Sequence, residues 1–365
     1  MIAERGSTKP PRPPAFDRAV ALGLGLAAAG GTAAAFAGLP LAWMLGALGA
    51  TTAAALGGAR VRVPGFLRTA MVAVLGIMLG SAFTPQVFAD LGRWLYGPLV
   101  LIVYLALVAA LGLVYFRRLA KFDPITAYFS AMPGGLSEMA VVGEALGGDA
   151  RTISLVHSVR ILLLVLTIPL YFRFVEGIEV PALAPATSAA ALGAVDAAVL
   201  VGCAVLGYLG ARRLRLPAAP LVGPMVLSAA VHLGGITASA PPSPVVALAQ
   251  VVVGGAVGCR FAGFGMERIW RDLRFGLGSA AGMIALTVAL AAATSALTGS
   301  DPFAMALALA PGGLAEMSLI ALALGADSVF VSAMHILRIA IIVTLAPLAA
   351  RLGLRGSRPG AAAED

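Results

Sequence analysis

Pro133-Gly134-Gly135-Leu136-Ser137-Glu138-Met139 returns 178 residues later as Pro311-Gly312-Gly313-Leu314-Ala315-Glu316-Met317. From Pro133 to Asp149, ten of seventeen positions are identical between the two copies. The same offset aligns Asp123-Pro124 with Asp301-Pro302, Asp149 with Asp327, His157 with His335, and Arg160 with Arg338. It also aligns Ser154 with Ser332, Pro169 with Pro347, and Gly76 and Gly80 with Gly254 and Gly258. Agreement on that scale is not chance similarity between apolar stretches, so the chain is a tandem duplication.

Composition says what was duplicated. The chain has 365 residues, 60% of them apolar and only 12% charged, with a mean hydropathy of +0.97. Soluble domains carry roughly 25% charged residues, so a soluble globular protein and a disordered chain are both excluded. Cys203 and Cys259 are the only cysteines and both lie in apolar stretches, which excludes a disulfide scaffold. This is a polytopic membrane protein.

Apolar runs long enough to cross about 30 Å of hydrocarbon fall near 17–36, 40–58, 66–84, 95–116 and 152–174. The second half repeats them near 195–211, 217–233, 245–262, 276–298 and 329–350. Between the fourth and fifth run of each half lies the Pro-Gly-Gly element. Asp123 with Pro124, and Asp301 with Pro302, form a helix start signal. About eight residues later Pro and two glycines break that helix, and a second one of about ten residues runs to a stop at Gly147 or Gly325. At ~1.5 Å per residue each limb reaches half-way across a bilayer, which predicts a re-entrant hairpin with its tip at the midplane.

The net charge of +8 is a topology signal, because the basic residues cluster at the ends of apolar runs. Arg60, Arg62 and Arg68, then Arg117, Arg118 and Lys121, follow the second and fourth crossings. Arg212, Arg213 and Arg215, then Arg260, Arg268, Arg271 and Arg274, then Arg351, Arg355 and Arg358, follow the first, third and fifth runs of the second half. All are cytoplasmic only if the acidic linker is outside, which needs five crossings in the first half and a hairpin that enters and leaves on one side. Arg93, beside Asp90, is the one exception. The expected fold is therefore an all-α membrane protein of two inverted repeats, each of about five transmembrane helices plus a re-entrant Pro-Gly-Gly helical hairpin. Its expected divisions are a cytoplasmic tail over 1–16, membrane repeats over 17–174 and 195–350, a linker over 175–194, and a second cytoplasmic tail over 351–365. No signal peptide with a cleavage site is visible, and the expected location is a bacterial inner membrane with both termini cytoplasmic.

Irregular backbone at membrane depth is tolerated only where protein or a water-filled cavity satisfies it. Tips at Pro133, Gly134 and Gly135, and at Pro311, Gly312 and Gly313, open onto helix N-termini and are candidate substrate-binding positions, suited to an anionic group. Glu138 and Glu316, in the first turn of each returning limb, read either as caps or as proton- or cation-coupling groups. Ser154, His157 and Arg160, and their copies Ser332, His335 and Arg338, stand on one helix face. An arginine at a helix centre costs ~2.5–3.5 kcal/mol on the insertion scale and calls for a partner. The expected partners are Glu138 for Arg160 and Glu316 for Arg338, as fixed ion pairs or as pairs that exchange with substrate. Gly76-x-x-x-Gly80 and Gly254-x-x-x-Gly258 read as close helix contacts, and Asp149 and Asp327 as caps of the following helix.

The paired Pro-Gly-Gly-Leu-x-Glu-Met motifs, each followed by His-x-x-Arg, resemble the AbrB duplication family of bacterial membrane proteins over about Ala19 to Ala350. Members of that family also carry the label of an ammonia monooxygenase. The resemblance implies a regulator of gene expression by the one name and an oxidase by the other. A DNA-binding regulator needs a soluble basic module, for which the tails and loops are too short. A copper or iron oxidase needs ligand clusters that three histidines and two cysteines do not supply. The residues point instead to a secondary transporter of a small, anionic solute, coupled to protons or ions. A membrane-embedded regulator that senses a ligand stands as the alternative, and a monooxygenase subunit as the least favoured. No enzyme activity, metal or cofactor is expected. The expected partners are the lipid bilayer and a small-molecule or ion substrate, with homo-oligomerisation left open and no direct contact with nucleic acid.

Overall fold

The computed structural model describes residues 17–85, 92, 94–177, 192–263 and 266–353. The expected tail over 1–16, residues 354–365 of the expected tail over 351–365, most of the linker, and Arg93 with Asp90 lie outside the described residues, while 351–353 belong to the last helix.

Fourteen α-helices are described, seven in each half, and no strand. In the first half they are α1 (Arg18–Phe36), α2 (Ala42–Leu56), α3 (Gly65–Gly80), α4 (Tyr96–Arg118), α5 (Pro124–Ala131), α6 (Leu136–Ala145) and α7 (Ala150–Phe174). In the second half they are α8 (Ala194–Arg213), α9 (Ala219–Leu233), α10 (Ser243–Gly258), α11 (Met266–Thr298), α12 (Pro302–Leu309), α13 (Leu314–Ala323) and α14 (Ser328–Gly353). A 3₁₀ turn, Cys259–Phe261, extends α10. The element order is the same in both halves, as the duplication requires.

Seven helices are long and apolar enough to cross a membrane. Three of the ten expected crossings fall short: α2 has 15 residues, α3 has 16 and α9 has 15. At ~1.5 Å per residue these span only about 22–24 Å. Their ends explain the shortfall. Leu41 and Ala218, which precede α2 and α9, take left-handed φ values of 45° and 50°, so the chain turns sharply before each helix begins. Ser81 ends α3 with its hydroxyl bonded to the Met78 carbonyl at 2.7 Å.

The packing is reciprocal between the halves. Helix α2 lies along α10 and α9 lies along α3, while α7 packs on α11 and α14 on α4. Such exchange of partners is what a two-fold relation between repeats produces. The glycine pairs mark the closest crossings. A Cβ on Gly76 or Gly80 would meet the backbone carbonyls of Leu221 or Met225 in α9, and one on Gly254 or Gly258 would meet those of Met44 or Leu48 in α2. Only glycine allows backbones that near. A second set, Gly30 against Gly46 and Gly207 against Gly223, joins α1 to α2 and α8 to α9 in the same manner.

These contacts sort the helices into two bundles. One contains α1–α3 and α8–α10, and the other contains α4–α7 and α11–α14. The bundles meet where α3, α10 and the 3₁₀ turn face α7 and α13.

Candidate functional site

Each Pro-Gly-Gly element is a helix, a break and a second helix. Asp123 accepts from the amides of Ile125 and Thr126 at 3.0 and 2.9 Å, starting α5, and Asp301 does the same for Phe303 and Ala304 at 2.9 and 3.2 Å. Met132 and Ala310 then turn extended, and α6 and α13 begin after Gly135 and Gly313. Gly147 and Gly325 end the returning limbs at φ 97° and 70°. Asp149 caps α7 through the amides of Arg151 and Thr152, and Asp327 accepts from Phe330 in α14.

The break leaves carbonyls at the end of the first limb without helical donors, since proline lacks an N–H and the chain has left the helix. The histidines and arginines of α7 and α14 supply those donors. His157 Nε2 donates to Phe129 O at 2.9 Å, and His335 Nε2 to Leu307 O at 2.9 Å. Arg160 donates to Met132 O at 3.2 Å and to His157 Nδ1 at 3.2 Å. Arg338 donates to Ala310 O and, at 2.7 Å, to Gly312 O. Both arginines are 2% exposed.

The expected Arg160–Glu138 and Arg338–Glu316 ion pairs are absent. Each guanidinium sits instead on the carbonyl end of a short helix, where the backbone dipole offers negative charge together with acceptors. The glutamates turn the other way. A Cβ on Gly135 would run into the Glu138 carboxylate and one on Gly313 into that of Glu316, so each carboxylate folds back over the N-terminus of its own limb. In this arrangement the second glycine of each motif leaves the carboxylate the space it occupies.

Both tips face one cavity of about 410 Å³ at the junction of the two bundles. Gly134, Gly135 and Glu138 enter it from the first half, and Gly312, Gly313, Glu316 and Arg338 from the second. Glu138 is exposed to it, whereas Glu316 is 8% exposed. Pro133 and Pro311 are buried and do not line it, and His157, His335 and Arg160 stand behind the tips. Ser154 and Ser332 also lie off the cavity. Ser332 bonds Ser318 of α13 at 2.8 Å and the Ser328 carbonyl at 2.7 Å, while Ser154, half-buried, makes no such contact. Two lining residues, Arg68 of α3 and Arg260 of the 3₁₀ turn, read in the sequence only as orientation signals. The sign that separates Arg260 from its neighbours is its place directly at the end of an unbroken apolar helix. Among the described residues no group of three or more His, Cys, Asp or Glu side chains is placed to hold a metal ion.

The model of the family described as "Transition state regulatory protein AbrB" matches residues 43–353. Among curated proteins, "Uncharacterized protein YhjN" of Bacillus subtilis (strain 168) is 29% identical over 351 residues, covering 89% of this chain and 90% of that protein. "Putative regulator AbrB" of Escherichia coli (strain K12) is 26% identical over 322 residues, covering 86% of this chain and 90% of that protein. No solved structure matches.

Proposed function

We propose, on the premise that the chain belongs to the AbrB family, that it is an inner-membrane secondary transporter of a small anionic solute. The observation that carries this reading is the cavity shared by the two duplicated hairpin tips. A site built from both repeats at the meeting of two helical bundles suits alternating access, in which one bundle moves against the other around the solute. In this scheme the repeats are inverted, each with five crossings and one re-entrant hairpin. Both termini are cytoplasmic, which places the basic clusters inside. The bilayer and the solute are the partners, and no chemical step, cofactor or nucleic acid takes part.

Glu138 and Glu316 carry the coupling proton or cation. Neither has a salt-bridge partner among the described residues, and both face the cavity from the first turn of a duplicated limb. Arg160 and Arg338, with His157 and His335, hold the tips in shape. In proteoliposomes, solutes that raise the Tm of the detergent-purified protein should be taken up along an imposed proton gradient. Glu138→Gln or Glu316→Gln should abolish the dependence on that gradient, and unchanged proton-coupled uptake in both variants removes the coupling role.

The name printed for the E. coli relative favours a second reading, a regulator that senses a ligand in the same cavity and acts on expression through a partner. Altered transcription on deletion, together with purified protein that moves no solute, would select it.

A further inference from the structure

The lining of the cavity departs from the symmetry of the duplication, and most sharply in two of its charged residues. Gly134 and Gly135, Glu138 and Ile161 each have a copy across the cavity in Gly312 and Gly313, Glu316 and Ile339. Arg68 and Arg260 do not: at the same offset stand Val246 and Ala82. The two arginines are therefore no by-product of the repeat. They come from different halves, α3 and the turn after α10, and reach the same space.

Arg260 is also unfinished as a side chain. Its Nη1 is buried and has no hydrogen-bond partner. The charged groups around it are Arg68, Glu316 and Glu138, and none is close enough to form an ion pair with it. Arg260 as a whole is half-buried, but a guanidinium presents five donors in a planar fork, and even one of them buried without an acceptor is costly. Arg338 differs, because carbonyls of the second tip already take its donors. The N-termini of the returning limbs are likewise covered by the Glu138 and Glu316 carboxylates folded over them. Of the cationic features of the cavity, the free donors are thus at Arg260 and Arg68. Beside it the walls are apolar: Val72, Leu221 and Val253 on one side, Ile161 and Ile339 on the other.

We infer that Arg260, assisted by Arg68, binds the carboxylate of a small monocarboxylate whose apolar body lies against those walls. A planar carboxylate matches the guanidinium fork by two parallel hydrogen bonds. The cavity holds a single compact molecule of this kind, and its one charged end meets the one open pair of cations. The inference rests on the cavity being a solute site and gives that site its chemical class.

The test uses the full-length protein in detergent, with benzoate and hexanoate as probes, benzamide and hexanamide as neutral isosteres, and inorganic phosphate as the competing oxyanion. The carboxylates should raise the Tm and bind measurably by calorimetry, and the amides should not. Arg260→Gln should weaken carboxylate binding about tenfold or more, and Arg260→Lys less than Arg260→Gln. Benzoate should also slow modification of Arg260 by phenylglyoxal in the unmutated protein, followed by mass spectrometry of the peptide, so that poor folding of a variant does not decide the matter. Equal binding of amides and carboxylates, preference for phosphate, no binding of either carboxylate, or unchanged binding in Arg260→Gln each overturns the assignment. Carboxylate binding through Arg260 without flux in proteoliposomes sinks the transport reading and keeps this subsite. Flux of a cationic or neutral solute that is indifferent to Arg260→Gln does the reverse.

Discussion

The two hairpins share seven-residue motifs that differ at one position, yet they sit in different states. In the second copy Arg338 gives both its bonds to the tip, through Ala310 O and Gly312 O, and the Nδ1 of His335 is left buried without a partner. In the first copy Arg160 divides its donors among Met132 O, the Met283 sulfur at 4.0 Å and, back on its own helix, His157 Nδ1. Glu316 is enclosed at 8% exposure, while Glu138 stands open to the cavity. One tip is latched by its arginine and the other is held more loosely. On the transport reading proposed above, exchange of the two settings between the repeats would carry the cavity from one face to the other.

The latch offers the strongest way to break this comparison. Removal of Arg338 strands two buried carbonyls, each bonded to a charged donor, and should cost about 2–4 kcal/mol of stability. Arg160→Ala strands one carbonyl and frees a histidine nitrogen, so its cost should be about half as large. Thermal unfolding in detergent compares the two directly, and equal losses would mean that the difference in bonding carries no energy. The next effect concerns the tip glycines. In Gly313→Ala the new methyl meets a Glu316 carboxylate that is enclosed, and overpacking of that kind costs about 1–3 kcal/mol. In Gly135→Ala the Glu138 carboxylate can swing into the cavity, and the loss should be under about 1 kcal/mol. If Gly135→Ala proved the worse variant, Glu138 would be the more tightly held of the two.

Much of this arrangement was legible in the residues, for reasons that differ from part to part. Asp123-Pro124, the Pro-Gly-Gly break and Gly147 are local signals, each tied to one backbone requirement, and their duplication doubles the signal. The Gly76-x-x-x-Gly80 pair likewise says that a backbone comes close, although nothing in it says that the visitor is α9 of the other half. The arginines' partners are not legible from charge alone, because the orphaned carbonyls of a broken helix outcompete the nearby glutamates, an accounting the Pro-Gly-Gly break itself invites. Arg68 and Arg260 are invisible as site residues in the sequence because a comparison of repeats sees only what both halves share. The short helices were overlong in the sequence because apolar residues continue past Leu41 and Ala218, where the backbone turns without any glycine to announce it.

The smallest effect tests whether the serines matter equally, as their matched positions suggest. Ser332 links α14 to the returning limb through Ser318, but position 140, the counterpart of 318, is alanine, so Ser154 has nothing to meet. The second hairpin therefore has a tie that the first lacks, on the same side as the tighter arginine latch. Ser332→Ala should lower stability by about 1 kcal/mol, the usual net worth of one such bond, while Ser154→Ala should stay within about 0.5 kcal/mol of the parent protein. Ala140→Ser sharpens the point, since with Ser154 present it rebuilds the missing tie in the first copy. If that variant gains stability while uptake slows, the looseness of the first hairpin is part of how the protein works. If stability rises and uptake is unchanged, the difference between the serine positions is drift within a duplicated chain.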